Sequence, residues 1–181
     1  MKTSNALFNL ILVIFFVVAF IVISVLTSNA QSINSGTYNT AIGLRVGGTS
    51  GLTIKHFTGS TTAIEGIVSF WRRSIGLTAL YEKHANAFGE PGFNWYYGVG
   101  GHVFVTGEDA GYYYDRHWNP HYYRYENGGF SGGIDGIVGL EYKINPIPFA
   151  ISLDLKPAID ITSGGNVYFY VDPGLGLKFT F

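Results

Sequence analysis

The amino-acid sequence predicts an all-β protein, an eight-stranded antiparallel up-and-down transmembrane β-barrel. Three observations predict it. Apolar and polar residues alternate with period two in eight separate segments, as side chains on strands must. The 181-residue chain carries 14 Phe, 13 Tyr, 3 Trp and 25 Gly, but only 11 Lys plus Arg and 12 Asp plus Glu. Beyond the first thirty residues no apolar run approaches the length of a membrane-spanning helix, so any crossing of a bilayer there must use strands.

Residues 1–30 read as a secretory signal and 31–181 as the barrel domain. Lys2 is the only charge before Arg45, Leu7 to Leu26 is apolar apart from Asn9 and Ser24, and small residues at Ser28 and Ala30 fit a cut after Ala30. The apolar run is also long enough to span a bilayer, so a retained inner-membrane anchor is the alternative.

The first strand, Tyr38 to Val46, sets Tyr38, Thr40, Ile42, Leu44 and Val46 against Asn39, Ala41, Gly43 and Arg45. The second, Leu52 to Phe57, sets Leu52 and Ile54 against Thr53 and Lys55. The third opposes Ile64, Gly66, Val68 and Phe70 to Glu65, Ile67, Ser69 and Trp71; the fourth opposes Ile75, Leu77, Ala79 and Tyr81 to Gly76, Thr78, Glu82 and His84. In the fifth, Phe93 to Val105, the residues Trp95, Tyr97, Val99 and Val103 face away from Asn94, Gly98, Gly100 and His102. The sixth sets Ile134, Val138, Leu140 and Tyr142 against Asp135, Gly139, Glu141 and Lys143. After the turn Asn145-Pro146-Ile147-Pro148, the seventh sets Phe149, Ile151, Leu153 and Leu155 against Ser152, Asp154 and Lys156. The eighth sets Phe169, Val171, Leu175, Leu177, Phe179 and Phe181 against Tyr168, Tyr170, Asp172, Gly174, Gly176, Lys178 and Thr180.

A soluble lipocalin-like barrel would turn the apolar face inward. Against it stand the aromatic ends of that face (Tyr81, Trp95, Tyr97, Tyr142), which suit a membrane girdle, and the glycines of the polar face, which suit a narrow lumen. The apolar face is therefore expected to meet lipid, and the strands to close on themselves because an unpaired edge in hydrocarbon leaves backbone groups without partners.

Tyr38 to Phe181 resembles the small bacterial outer-membrane barrels of the OmpA/OmpX-like superfamily. The stretches Gly51-Leu52-Thr53-Ile54-Lys55, Ala63-Ile64-Glu65-Gly66, Leu80-Tyr81-Glu82-Lys83-His84 and 148–157 carry the likeness. Phe181 is similar to the terminal aromatic read by the barrel assembly machinery. The resemblance implies export to a Gram-negative outer membrane, with outer-membrane lipid and that machinery as partners and an extracellular ligand as a further candidate. A fold does not fix an activity: such barrels serve as anchors, adhesins, pores and lipid-modifying enzymes.

With both ends of the barrel domain in the periplasm, the connections near 47–51, 72–74, 106–130 and 160–166 lie outside, and that near 85–92 inside. The lumen is expected to hold Arg45, Lys55, Lys156 and Lys178 against Glu65, Glu82, Asp135, Glu141, Asp154 and Asp172. In an eight-stranded barrel these charges must pair or trap water, as a structural plug or as a narrow ion path. The external stretch Tyr112, Tyr113, Tyr114, Asp115, Arg116, His117, Trp118, Asn119, Pro120, His121, Tyr122, Tyr123, Arg124 and Tyr125 has the composition of a recognition surface, or of a hairpin continued above the bilayer.

A formal charge of −1 gives no basis for capturing nucleic acid, and the absence of cysteine removes thiolate chemistry. Glu82 with His84, and His102 beyond them, is the one conceivable acid/base group, but no spacing identifies a serine triad. His117 and His121 lack a third ligand for a metal. No cofactor is expected. The function expected is a structural or surface-binding outer-membrane barrel rather than an enzyme, with a lipid A hydrolase or acyltransferase and a narrow channel as alternatives.

Overall fold

The structure is a computed structural model and describes residues 38–71, 74–107, 113–114, 120–121 and 129–181. Its strands are β1 (Thr40–Gly47), β2 (Gly51–Phe57), β3 (Thr62–Trp71), β4 (Ser74–Asn86), β5 (Phe93–Thr106), β6 (Tyr113–Tyr114), β7 (Pro120–His121), β8 (Gly129–Ile144), β9 (Phe149–Thr162) and β10 (Val167–Thr180). The two-residue β6 and β7 pair with each other. The other eight form a closed antiparallel barrel in the order β1-β10-β9-β8-β5-β4-β3-β2. The eight expected strands are therefore the eight of the wall.

The register fixes the shape. Stepping between paired residues from Ile42 leads through Ile54, Gly66, Ala79, Gly101, Ile134 and Ile159 to Phe169 of β10. Ile42 itself pairs with Phe179 on that strand, so one circuit is displaced by ten residues. With eight strands, ~3.3 Å per residue and ~4.8 Å between strands, that stagger tilts the strands by about 40° and gives a backbone radius of about 8 Å. A cylinder so narrow is filled by its own inward side chains.

The lower end of the barrel bears Tyr38, Phe181 and the β2–β3, β4–β5 and β8–β9 turns; the upper end bears the other four connections. Apolar residues face outward: Leu44, Val138, Leu153 and Leu177 are 56%, 49%, 60% and 51% exposed, whereas Glu141, Asp154 and Lys178 are buried. Burial alternates along β4, β9 and β10 with the expected parity. At the lower end the outward aromatics form ring contacts, Trp95 stacked on Tyr97 and Phe93 against Tyr142 and Phe88. The β4–β5 turn needs left-handed backbone at three positions, and Phe88 (φ 58°) adopts it beside Gly89 and Gly92.

Four sequence expectations are corrected. Tyr38 does not share the outward face of Leu44: it precedes the ladder of β1, turns under the barrel, and its hydroxyl donates to Glu141. Thr40, on the outward parity, is buried with its hydroxyl 2.9 Å from Nδ1 of its cross-strand partner His56. β9 continues past Pro157 to Thr162, so Asp160 belongs to the wall and not to a loop; the missing amide leaves Gly136 and Ile137 of β8 without ladder partners at that level. β8 starts at Gly129, five residues before the first apolar position that marked it, because a glycine-rich run has no side chains to show a period.

Candidate functional site

The lumen concentrates the charged side chains, and the ten expected there are all buried in it. They form two layers. In the lower one, Lys55 on β2 places Nζ 3.0 Å from Glu65, 2.8 Å from Glu82 and 3.3 Å from Glu141. Lys178 on β10 lies 2.9 Å from the other oxygen of Glu65 and 3.7 Å from Glu141. Thr53 donates to Glu65, and Tyr38 to Glu141. Burial, with Glu141 alongside, pushes the Tyr38 phenol well above its usual range, so it remains a donor. An aromatic column closes this end: Tyr38 meets Phe57 edge-on at 5.3 Å, Phe57 meets His84 at 4.8 Å, and His84 stacks on Tyr96 at 5.0 Å.

In the upper layer Arg45 reaches Asp154 at 2.6 Å and Asp172 at 2.9 Å and donates to the carbonyl of Thr49. Lys156 lies 2.9 Å from Asp135 and 3.8 Å from Asp172. His102 bridges β8 and β9, with Nδ1 2.8 Å from Asp135 and Nε2 3.0 Å from Asp160. Tyr96 joins the layers: its ring lies 4.1 Å beneath the Lys55 ammonium and its hydroxyl donates to Asp154 at 3.3 Å. Burying a charge is tolerated only with such partners, since desolvation otherwise exceeds the attraction regained.

Two inward glycines make room for the largest groups. A Cβ at Gly139 would strike the phenol of Tyr96 and the Leu153 carbonyl; one at Gly174 would strike the Arg45 guanidinium. Gly139→Val is expected to lower the unfolding free energy by about 1–3 kcal/mol through overpacking, read as a fall in the urea midpoint in detergent micelles.

Among the described residues, neither lumen histidine is hydrogen-bonded to a hydroxyl. Both ring nitrogens of His102 face aspartate oxygens, leaving none for a nucleophile. His84 has Nε2 3.0 Å from Glu82, its Nδ1 is buried without a partner, and its ring is held between Phe57 and Tyr96. Among the described residues no group of three His, Asp or Glu is placed to hold a metal. His117 lies outside the described residues, and His121 is described only as part of β7.

Of the aromatic loop, Tyr112, Arg116, Trp118, Tyr122, Tyr123, Arg124 and Tyr125 also lie outside the described residues; Tyr113 and Tyr114 enter only as β6. Sequence reasoning missed Tyr38, Thr49, Thr53, Tyr96 and Asp160 as members of the network. Parity identifies Thr53, Tyr96 and Asp160 once their strands are placed, because each sits an even number of residues from a lumen charge on its strand or from Gly98. Tyr38 and Thr49 precede or follow a strand, where parity carries no information. Compared with known protein families and with curated proteins, the chain matches none.

Proposed function

We propose that this protein is an exported outer-membrane barrel with a sealed, ion-paired lumen, acting as a structural anchor that presents its long upper connection for surface binding. The observation that carries the reading is the composition of the outer wall. Among the described strand residues, the outward face bears only Lys83 and His56 as basic groups and no carboxylate. On β9 that face is apolar from Phe149 to Ile161. At the tilt set by the register it rises about 30 Å, the thickness of a bilayer's hydrocarbon core. A water-soluble barrel would expose so continuous an apolar surface only at a large cost in solubility. The polar core supports the same orientation, since trapped charges are sheltered from lipid by the wall.

Each of the ten lumen charges has an ion-pair partner among the others, which argues for a plug rather than a path, and the occupied nitrogens of His102 argue against chemistry. Residues 107–128 supply the longest upper connection, and the Tyr, Trp and Arg in its sequence are suited to contact with an extracellular ligand. Heat-modifiability on gels of fractionated membranes tests the whole reading: an unboiled form of altered mobility in the outer-membrane fraction is expected, and a single mobility in the soluble fraction rejects it. Leu155→Arg sharpens the test. An arginine on the lipid face at mid-height is expected to cost about 2–4 kcal/mol in a bilayer, measured by denaturant unfolding from vesicles. The same change on a barrel in water would be close to neutral.

A further inference from the structure

The outer wall is not equally tall all the way round. Outward apolar positions run from Phe149 to Ile161 on β9 but only from Ile42 to Val46 on β1 and from Leu52 to Ile54 on β2. At roughly 2.5 Å of height per tilted residue these spans are about 30, 10 and 5 Å. The register shows where the difference falls. Val46 pairs with Leu175, and Leu175 with Leu153. Each such step lowers the level by ~3 Å in a barrel of this stagger, so Leu155, two residues further up β9, stands level with Val46. β9 then climbs seven more residues to Thr162, while β1 ends at the next residue, Gly47. The wall at β1 and β2 therefore stops about 15 Å below its far side.

The top of the short wall is polar and sits against charge. Gly48, Thr49 and Ser50 form the hairpin tip. Thr49 donates from its amide and its hydroxyl to Asp172, and Arg45 joins Asp172 to the Thr49 carbonyl. A Cβ on Gly48 would meet the Asp172 carboxylate, so the tip packs directly against that ion pair. Hydrocarbon of full thickness would lie over the tip and its ion pair; a wall shorter than the bilayer is accommodated by thinning of the lipid beside it.

We infer that the bilayer around this barrel is uneven, and that beside β1 and β2 lipid headgroups and water descend to the level of Val46 and Ser50. The inference rests on the membrane reading above, and the experiment separates the two. The chain has no cysteine, so single cysteines can be labelled uniquely with a nitroxide. Val46→Cys, Ser50→Cys and Leu155→Cys are reconstituted in dimyristoylphosphatidylcholine vesicles, and collision with oxygen is compared with collision with a water-soluble nickel chelate. Val46→Cys serves beside Ser50→Cys because the Ser50 hydroxyl also bonds Gly47. The expected result is a nickel-to-oxygen ratio several-fold higher at 46 and 50 than at 155, although 46 and 155 share one level. Equal, oxygen-dominated values at all three overturn the inference and leave the membrane reading intact. Labels at 46 and 50 closed to both reagents also overturn it, because protein and not lipid would then cover the short wall. A nickel-dominated label at 155 overturns the membrane reading itself.

Discussion

Lys55→Met is expected to destabilise the barrel by about 3–5 kcal/mol, the usual effect of removing one partner from a buried ion cluster. Among the described residues, Lys55 alone forms ion pairs with all three lower glutamates, at 2.8 to 3.3 Å. Without it, among the described residues, Glu82 retains His84 as its ion-pair partner and Lys178 serves both Glu65 and Glu141. The volume of methionine keeps the contact with the Tyr96 ring, so the loss reports charge and not a cavity. The measurement is the unfolding midpoint in urea with the barrel in micelles. Adding Glu82→Gln should restore a substantial part of the loss, and a double variant no more stable than Lys55→Met would show that the three carboxylates do not share one cation.

Arg45→Met should be comparably damaging, with a loss of about 3–5 kcal/mol, because it leaves Asp154 and Asp172 buried in the upper layer without their nearest cation. Lys156, at 3.8 Å from Asp172, takes over only part of that role. Arg45 also fastens the β1–β2 tip through Thr49, so hydrogen exchange at residues 47–51 should accelerate more than at β9. Uniform acceleration over the whole barrel would instead mean that Arg45 contributes to global stability alone. Replacing Asp172 by asparagine in the same chain should recover stability without slowing exchange at the tip, since Thr49 also hangs on that carboxylate.

The barrel was legible because a strand repeats every two residues, and a buried polar face opposite an apolar one leaves that repeat in the chain itself. Leu153-Asp154-Leu155-Lys156 displays the rule without help from any neighbour. What the chain does not display is which charge meets which. Lys55 and Glu141 lie on β2 and β8, and their contact depends on a stagger that only the sum of all eight pairings sets. Tyr38 was unreadable for a different reason: outside a ladder its direction follows from the Glu141 acceptor and the Phe57 ring, both distant in sequence. Gly129 to Gly133 hid the start of β8 because glycine contributes no side to either face. Asp160 was lost behind Pro157, a residue that ordinarily closes a strand, yet here its ring points outward where no amide is missed on the β10 side.

The seam that makes the cylinder continuous joins β1 to β10 through seven residue pairs, from Ala41 with Thr180 to Gly47 with Gly174. Every other junction in the wall except those of β2 is longer, and every other junction unites wall strands that are successive along the polypeptide, β6 and β7 aside. Folding must therefore hold a curled sheet with two raw margins until its most remote segments meet, and the entropy of that meeting is offset by only seven residue pairs. Until then the two margins carry unpaired backbone groups that can adhere to any other exposed strand edge.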